Sequence, residues 1–200
     1  VTRDWQTWHA DYDEPGSPLE RRLRIVQGHV RAWVAEGEPG RRVVSACAGQ
    51  GRDLAGVLPD GYPARLVELD PRNAAVAAAH AGPAVEVVVA DAGLTDAYLG
   101  AVPADLVMMC GVFGNVPDGD VRRTVEALPM LCARGATVIW TRSRRAPDLT
   151  PSIREWFAET GFTERAFDAP EDVELSVGVH RFDGEPRPLV PGQVLFVFET

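Results

Sequence analysis

The chain has no lysine: all 20 of its basic side chains are arginine. That absence excludes lysine Schiff-base chemistry, a P-loop lysine over nucleotide phosphates and a tyrosine–lysine dehydrogenase pair. Cysteine is scarce. Cys47, Cys110 and Cys132 are odd in number, lie in apolar segments and lack metal-ligand spacing. The sequence therefore predicts reduced thiols, no metal site and a cytoplasmic protein. No apolar run approaches a membrane span, and no segment has the pattern of a signal peptide. Positive charge is short as well. The net charge of −9 argues against a nucleic-acid duplex as partner, because such binding needs a basic surface. What is present is an ordinary globular composition over 200 residues, 46% hydrophobic and 24% charged, enough for one domain with its own core.

The most informative stretch runs from Val43 to Leu54, an apolar segment that ends in small residues and opens through Gly49 and Gly51. Glycines there let the backbone turn tightly and approach a ligand, with no Cβ in the way. A helix over Arg52–Leu58 would aim free N–H groups at an anionic group on the loop. Strand, glycine loop and helix read as the first unit of a nucleotide-type fold. The same loop also reads as a glycine turn that only permits close packing.

Residues 1–16 form an aromatic, acidic arm with Trp5, Trp8, His9, Tyr12 and Asp13 and no clear period. It reads either as a flap that packs its tryptophans on the domain or as a lid over a ligand. Ser17-Pro18-Leu19-Glu20 starts a helix, with Ser17 as cap, Pro18 in first position and Glu20 completing a capping box. Leu19, Leu23, Val26, Val30, Trp33 and Val34 give that helix an apolar face, and Gly37 ends it. Strands are predicted over Val43–Cys47, Ala64–Leu69, Val85–Ala90, Asp105–Met109 and Ala136–Thr141. Val85–Ala90 is a near-continuous β-branched run, the pattern of a strand buried on both faces. Helices are predicted over Ala74–His80, over Asp118–Ala133 with a kink at Pro129, and from Thr150 to Gly161, with a short helix at Thr95–Leu99. Asp70 caps the helix that Pro71 begins; Glu68 has no capping role and is freer to meet a ligand. After Gly161 the alternation stops. Phe162–Phe167, Leu175–Phe182 and Val194–Phe198 read as strands joined by turns. Five βα units followed by β-rich sequence indicate a parallel α/β sheet with an antiparallel edge.

The order of these elements, and the residues at the strand ends, resemble the class I S-adenosylmethionine-dependent methyltransferases over about residues 40–200. That family opens with an acidic residue and three glycines at alternate positions, which here are Ser45, Cys47, Gly49 and Gly51. Glu68-Leu69-Asp70-Pro71 matches its acidic second motif, and Ala90-Asp91-Ala92 its third. Asp105–Asn115 matches its fourth strand and following loop, Gly135 the glycine before its fifth strand, and Gly161-Phe162 its last glycine–aromatic pair. The resemblance implies a Rossmann-like three-layer α/β/α sandwich, with a mostly parallel seven-stranded sheet and an antiparallel C-terminal strand. It divides the chain into an N-terminal arm and helix, residues 1–37, and a cofactor-binding domain, residues 38–200.

The resemblance implies S-adenosylmethionine as cofactor, S-adenosylhomocysteine as product, and Ala46, Cys47, Ala48, Gly49, Gly51, Glu68, Leu69, Asp91, Ala92, Cys110, Gly111 and Phe113 as its binding residues. Glu68 would accept from the ribose hydroxyls. Asp91 would accept from the adenine amino group, with the Ala92 N–H donating to the ring. Cys110, Gly111 and Phe113 would line the floor near the sulfonium. The reaction would be an in-line displacement at the methyl carbon, for which the protein holds the acceptor, excludes water and, for some acceptors, removes a proton. The candidate bases are His180, His9 and Tyr12. Arg142 and Arg144, just past the fifth strand, are candidates to hold an anionic group of a small-molecule substrate; they also read as part of a solvated basic loop. No Asn/Asp-Pro-Pro-aromatic sequence follows the fourth strand, which argues against amino methylation of nucleic acids. Three other readings stay open: a cofactor-binding protein without catalysis, an enzyme using other carbons of the cofactor, as in cyclisation, and a nicotinamide-dependent dehydrogenase. Against the last, Leu54 stands where a dinucleotide fingerprint wants a small residue.

Overall fold

The computed structural model describes residues 10–198. Seven strands alternate with helices: β1 (Val43–Ala46), β2 (Ala64–Glu68), β3 (Val85–Val89), β4 (Ala104–Met109), β5 (Cys132–Ser143), β6 (Phe162–Asp168) and β7 (Leu175–Phe182). The α-helices are α1 (Pro18–Ala35), α2 (Pro71–His80), α3 (Asp118–Ala127) and α4 (Thr150–Glu159). The strands form one sheet in the order β3-β2-β1-β4-β5-β7-β6. β7 runs antiparallel to both of its neighbours, and the other pairings are parallel.

Alternation along the central strands builds a core on each face. Val44, Val107, Met109, Val138 and Trp140 face α3 and α4, where Val121, Val125, Ile153 and Phe157 meet them. Val43, Leu106, Met108 and Ile139 face the other way, onto Val26, Val30 and Trp33 of α1. The result is the expected three-layer sandwich. α1 starts as its sequence dictates: Ser17 Oγ accepts from Glu20 N–H at 3.0 Å. The reciprocal bond to Glu20 comes from Gly16 N–H rather than from Ser17. No described helix is long and apolar enough to cross a membrane.

Four expectations are corrected. Residues 51–58 make turns, not a helix: the i→i−4 bonds Ala55→Gly51 and Leu58→Leu54 form, but Gly56 sits at φ +70° and ends the run. β3 is an edge strand instead of a doubly buried one, and Val89 is 57% exposed. The helix expected to reach Ala133 stops at Ala127, where Pro129 forces a 3₁₀ turn over Leu128–Met130. Val194–Phe198 forms no strand; its sole ladder contact among the described residues is an isolated bridge between Leu94 and Val194.

Candidate functional site

β1 pairs with β2 on one side and β4 on the other, so the connections diverge at its carboxyl end, where a doubly wound sheet opens a crevice. The loop leaving β1 has φ +51° at Cys47, +56° at Gly49 and +74° at Gly51. All three alternate positions are left-handed. The conformation is free for glycine and costs Cys47 about 1–2 kcal/mol. At Gly51 a Cβ would lie 3.0 Å from Leu66 and 3.3 Å from Ala77, so its glycine lets the loop seat on β2 and α2. Burial pushes the Cys47 thiol well up, and the Glu68 and Asp91 carboxylates facing it act the same way. The thiol is therefore neutral, and it marks the point where the ends of β1, β2 and β3 converge.

Glu68 is buried at the end of β2. Its carboxylate accepts from Gly49 N–H and from Asp70 N–H, each at 2.8 Å. Glu68 caps no helix, but this side chain fixes the loop. An ionised carboxylate has about four acceptor positions, so two N–H bonds leave room for further donors. Asp70 caps α2 as expected, accepting from Arg72 N–H at 2.8 Å. Leu69, between the two acids, is 67% exposed. Past β3, Asp91 accepts from Gly93 N–H at 2.8 Å and the Ala92 carbonyl accepts from the Tyr98 hydroxyl at 2.6 Å.

The loop after β4 is held by Gly111 N–H donating to Thr141 Oγ1 at 2.9 Å and by Asn115 donating to the Gly111 carbonyl at 2.7 Å. Phe113 is corrected: its ring turns into the core against Trp140, 5.9 Å between centroids, and only its backbone borders the crevice. Arg142 donates to the Phe113 carbonyl and pairs with Asp118 at 3.1 Å. Arg144 donates to the carbonyls of Pro170, Val173 and Leu175. Both arginines thus brace loops, which corrects their reading as a free anion site.

Two residues of the crevice carry no motif in the sequence. Arg22, on the first turns of α1, is buried; its guanidinium donates to the Tyr12 hydroxyl and lies 3.9 Å from Asp53. Burial works against the Arg22 charge, and its surroundings, the Asp53 carboxylate among them, more than offset it. A Cβ on Gly111 would come within 3.8 Å of this guanidinium. A charged pair, Arg22 and Asp53, therefore stands between the ends of β1 and β4. The signal that could have found it is spacing: Arg22, Val26, Val30 and Trp33 form the buried stripe of α1, and an arginine in such a stripe needs a partner.

The three candidate bases fare differently. Burial pushes the Tyr12 phenol well up, so at neutral pH it stays protonated and is no base. His180 pairs in register with Val138, well below the carboxyl edge where Leu175 meets Ser143. It is buried beneath α4, stacked on Phe157 at 4.2 Å, and accepts from Trp140 Nε1–H at 3.1 Å. That position removes it from the crevice. His9 lies outside the described residues. Asp13, beside Tyr12, makes a two-pronged pair with Arg52 at 2.6 and 3.1 Å, clasping residues 10–16 to the β1 loop.

No protein-family model matches the sequence, and no curated protein matches it. Solved structures do match its fold. Magnesium protoporphyrin IX methyltransferase from Synechocystis PCC 6803, with bound S-adenosylmethionine, is 16% identical with TM-score 0.72, over 90% of this chain and 92% of its own. Burkholderia thailandensis 1,6-didemethyltoxoflavin-N1-methyltransferase, with bound 1,6-didemethyltoxoflavin and S-adenosylhomocysteine, is 16% identical with TM-score 0.65, over 90% and 87%. A putative methyltransferase in complex with the Haloferax volcanii Trm112 activator matches at 17% identity and TM-score 0.63, over 92% and 100%. The fold of this chain is that of the class I S-adenosylmethionine-dependent methyltransferases.

Proposed function

We propose that the chain is an S-adenosylmethionine-dependent methyltransferase acting on a small-molecule acceptor. The observation that carries this reading is the succession of three strand ends at one crevice: a loop left-handed at residues 47, 49 and 51, then buried Glu68, then Asp91. The residues fit the cofactor. Glu68, already fixed by two N–H bonds, offers its remaining lone pairs to vicinal ribose hydroxyls. Leu69 supplies an exposed apolar surface beside it for a base. Asp91 and the Ala92 N–H present an acceptor and a donor side by side. Arg22 and Asp53 carry the charges opposite to those of an amino-acid carboxylate and ammonium. Ala48, Cys110 and Gly111 form the apolar floor between them, with Ala46 fully buried beneath it.

When bound, the cofactor supplies a methyl group made electrophilic by its sulfonium. The chain's part is to orient an acceptor in line, exclude water and hold the cofactor rigid. Tyr12, protonated, orients Arg22, and the Asp13–Arg52 pair fastens residues 10–16 to the β1 loop. The acidic composition and the small molecules named for two of the structural neighbours support a small acceptor. Calorimetric titration with S-adenosylhomocysteine tests the reading. Micromolar binding that weakens about tenfold or more in Glu68→Gln supports it; no binding at millimolar concentration overturns it. With binding established, transfer of labelled methyl from S-adenosylmethionine to small acceptors separates catalysis from binding alone.

A further inference from the structure

The segment read from sequence as a last strand does something else. It runs across the loop that follows β3 and then across the first turns of α3. Thr95 donates to the carbonyls of Gln193 and Val190, at 3.0 Å from its N–H and 2.8 Å from its hydroxyl. Leu195 N–H donates to the Gly93 carbonyl at 2.7 Å. On its other side the Leu195 carbonyl accepts from Arg123 Nε at 3.1 Å and shares the Thr124 hydroxyl proton, at 3.0 Å, with the Asp120 carbonyl at 2.7 Å, and Val197 N–H donates to the Asp120 carboxylate at 2.9 Å. Leu195 and Phe196 are 1% and 2% exposed. One residue, Leu195, thus joins Gly93 to α3 through the two ends of its own backbone. The fit is close: a Cβ on Gly93 would stand 2.2 Å from the Phe196 carbonyl oxygen.

The loop under this segment has three successive fixed points. The Ala92 carbonyl is tied to Tyr98, Gly93 N–H to Asp91, and the Gly93 carbonyl to Leu195. The first two are local. The third comes from a distant part of the chain and sets where the loop sits relative to α3, and α3 follows directly on the loop after β4. We propose that residues 193–197 are a brace that positions the Asp91–Gly93 loop to read the cofactor's base. The inference rests on the methyltransferase reading. An acceptor and a donor on consecutive residues match the amino group and ring nitrogen of adenine. The same pair meets the oxo and N–H groups of hypoxanthine acceptor against acceptor and donor against donor. Such rejection requires the loop to be held within about 0.5 Å. A loop freed from the brace can shift to accommodate either base.

The test compares S-adenosylhomocysteine with S-inosylhomocysteine by calorimetric titration on the full chain, the Gly93→Ala variant and the Thr124→Val variant, with thermal unfolding of each. The full chain is expected to prefer the adenine ligand by roughly 100-fold. Gly93→Ala sets a Cβ against the Phe196 carbonyl and also beside the Asp91 carboxylate, whereas Thr124→Val acts at the far end of the brace alone, removing one of the two donors to the Leu195 carbonyl. Both are expected to cut that preference at least about fivefold while remaining folded. An unchanged preference in the folded variants overturns the inference, whatever happens to their melting temperatures. Should Gly93→Ala fail to fold, the isosteric Thr124→Val carries the test alone. Failure of the full chain to bind either ligand would instead overturn the methyltransferase reading itself.

Discussion

Glu68 and Gly49 meet across the ends of adjacent strands, carboxylate oxygen to backbone N–H at 2.8 Å, so one side chain both shapes the β1 loop and faces the crevice. The two roles separate by substitution. Glu68→Ala deprives two backbone donors of their acceptor and is expected to destabilise the fold by roughly 3 kcal/mol. Glu68→Gln keeps one acceptor oxygen and is expected to lose about 1 kcal/mol while still weakening S-adenosylhomocysteine. Urea unfolding and calorimetry on the two variants measure these effects independently.

Arg22 offers a readout specific to one end of the cofactor. Replacing it by Gln is expected to weaken S-adenosylhomocysteine by about tenfold or more and to leave adenosine, which lacks the amino acid, unaffected. Equal losses for both ligands would show that Arg22 only holds the crevice together with Asp53 and Tyr12.

Cys47 tests the left-handed backbone. Cys47→Gly relieves strain at φ +51° and adds freedom to the unfolded chain, two effects of about 1 kcal/mol that oppose each other. Its stability is expected to remain near that of the parent. Cys47→Val forces a β-branched residue into the same conformation and is expected to cost more than about 2 kcal/mol. Urea midpoints of the two variants decide.

His180 gives a pH signature. Burial brings it down to about 4, against the opposing pull of Glu164 and with a smaller push from Arg154. An unfolded histidine titrates near 6.5. Between these values the unfolded chain binds the proton and the folded one does not, so stability falls as pH drops from 6.5 toward 4. The loss approaches about 3 kcal/mol at the low end. In His180→Phe this slope should flatten, with a constant offset from the Trp140 N–H left without its acceptor. An unchanged slope in urea unfolding between pH 4.5 and 7.5 would assign the acid sensitivity elsewhere.

The strand series and the start of α1 were legible because local rules fix them: short apolar runs for β1 and β4, alternation for β7, and the Ser17–Pro18 cap for the helix. The acids at the strand ends stood out through their resemblance to the family's second and third motifs. Other features depend on contacts that no local pattern contains. Leu54, Val57 and Leu58 have helical spacing, yet Gly56 turns the backbone the wrong way for a helix. Val85–Val89 is β-branched enough for a central strand, but being an edge is decided by which strands find partners. Nothing in the spacing of Arg22 and Asp53 along the chain pairs them at one crevice, and Val194–Phe198 is a continuous apolar run that reads as a strand although its bonds go to a loop and a helix.

The sheet order also says when the site comes into being. β6 and β7 are joined by a short loop, and β1 pairs with β2, and β2 with β3, each across a single connection. Such near-neighbour pairings close cheaply and early. β1 must wait for β4, which lies beyond two further βα units, and Gly93 must wait for Leu195 near the far end of the described chain. A partly folded molecule is therefore expected to hold a β1–β2–β3 sheet and a β6–β7 hairpin but no crevice. Cofactor binding would report the last step of folding, and a ligand present during refolding would accelerate nothing until that step is reached.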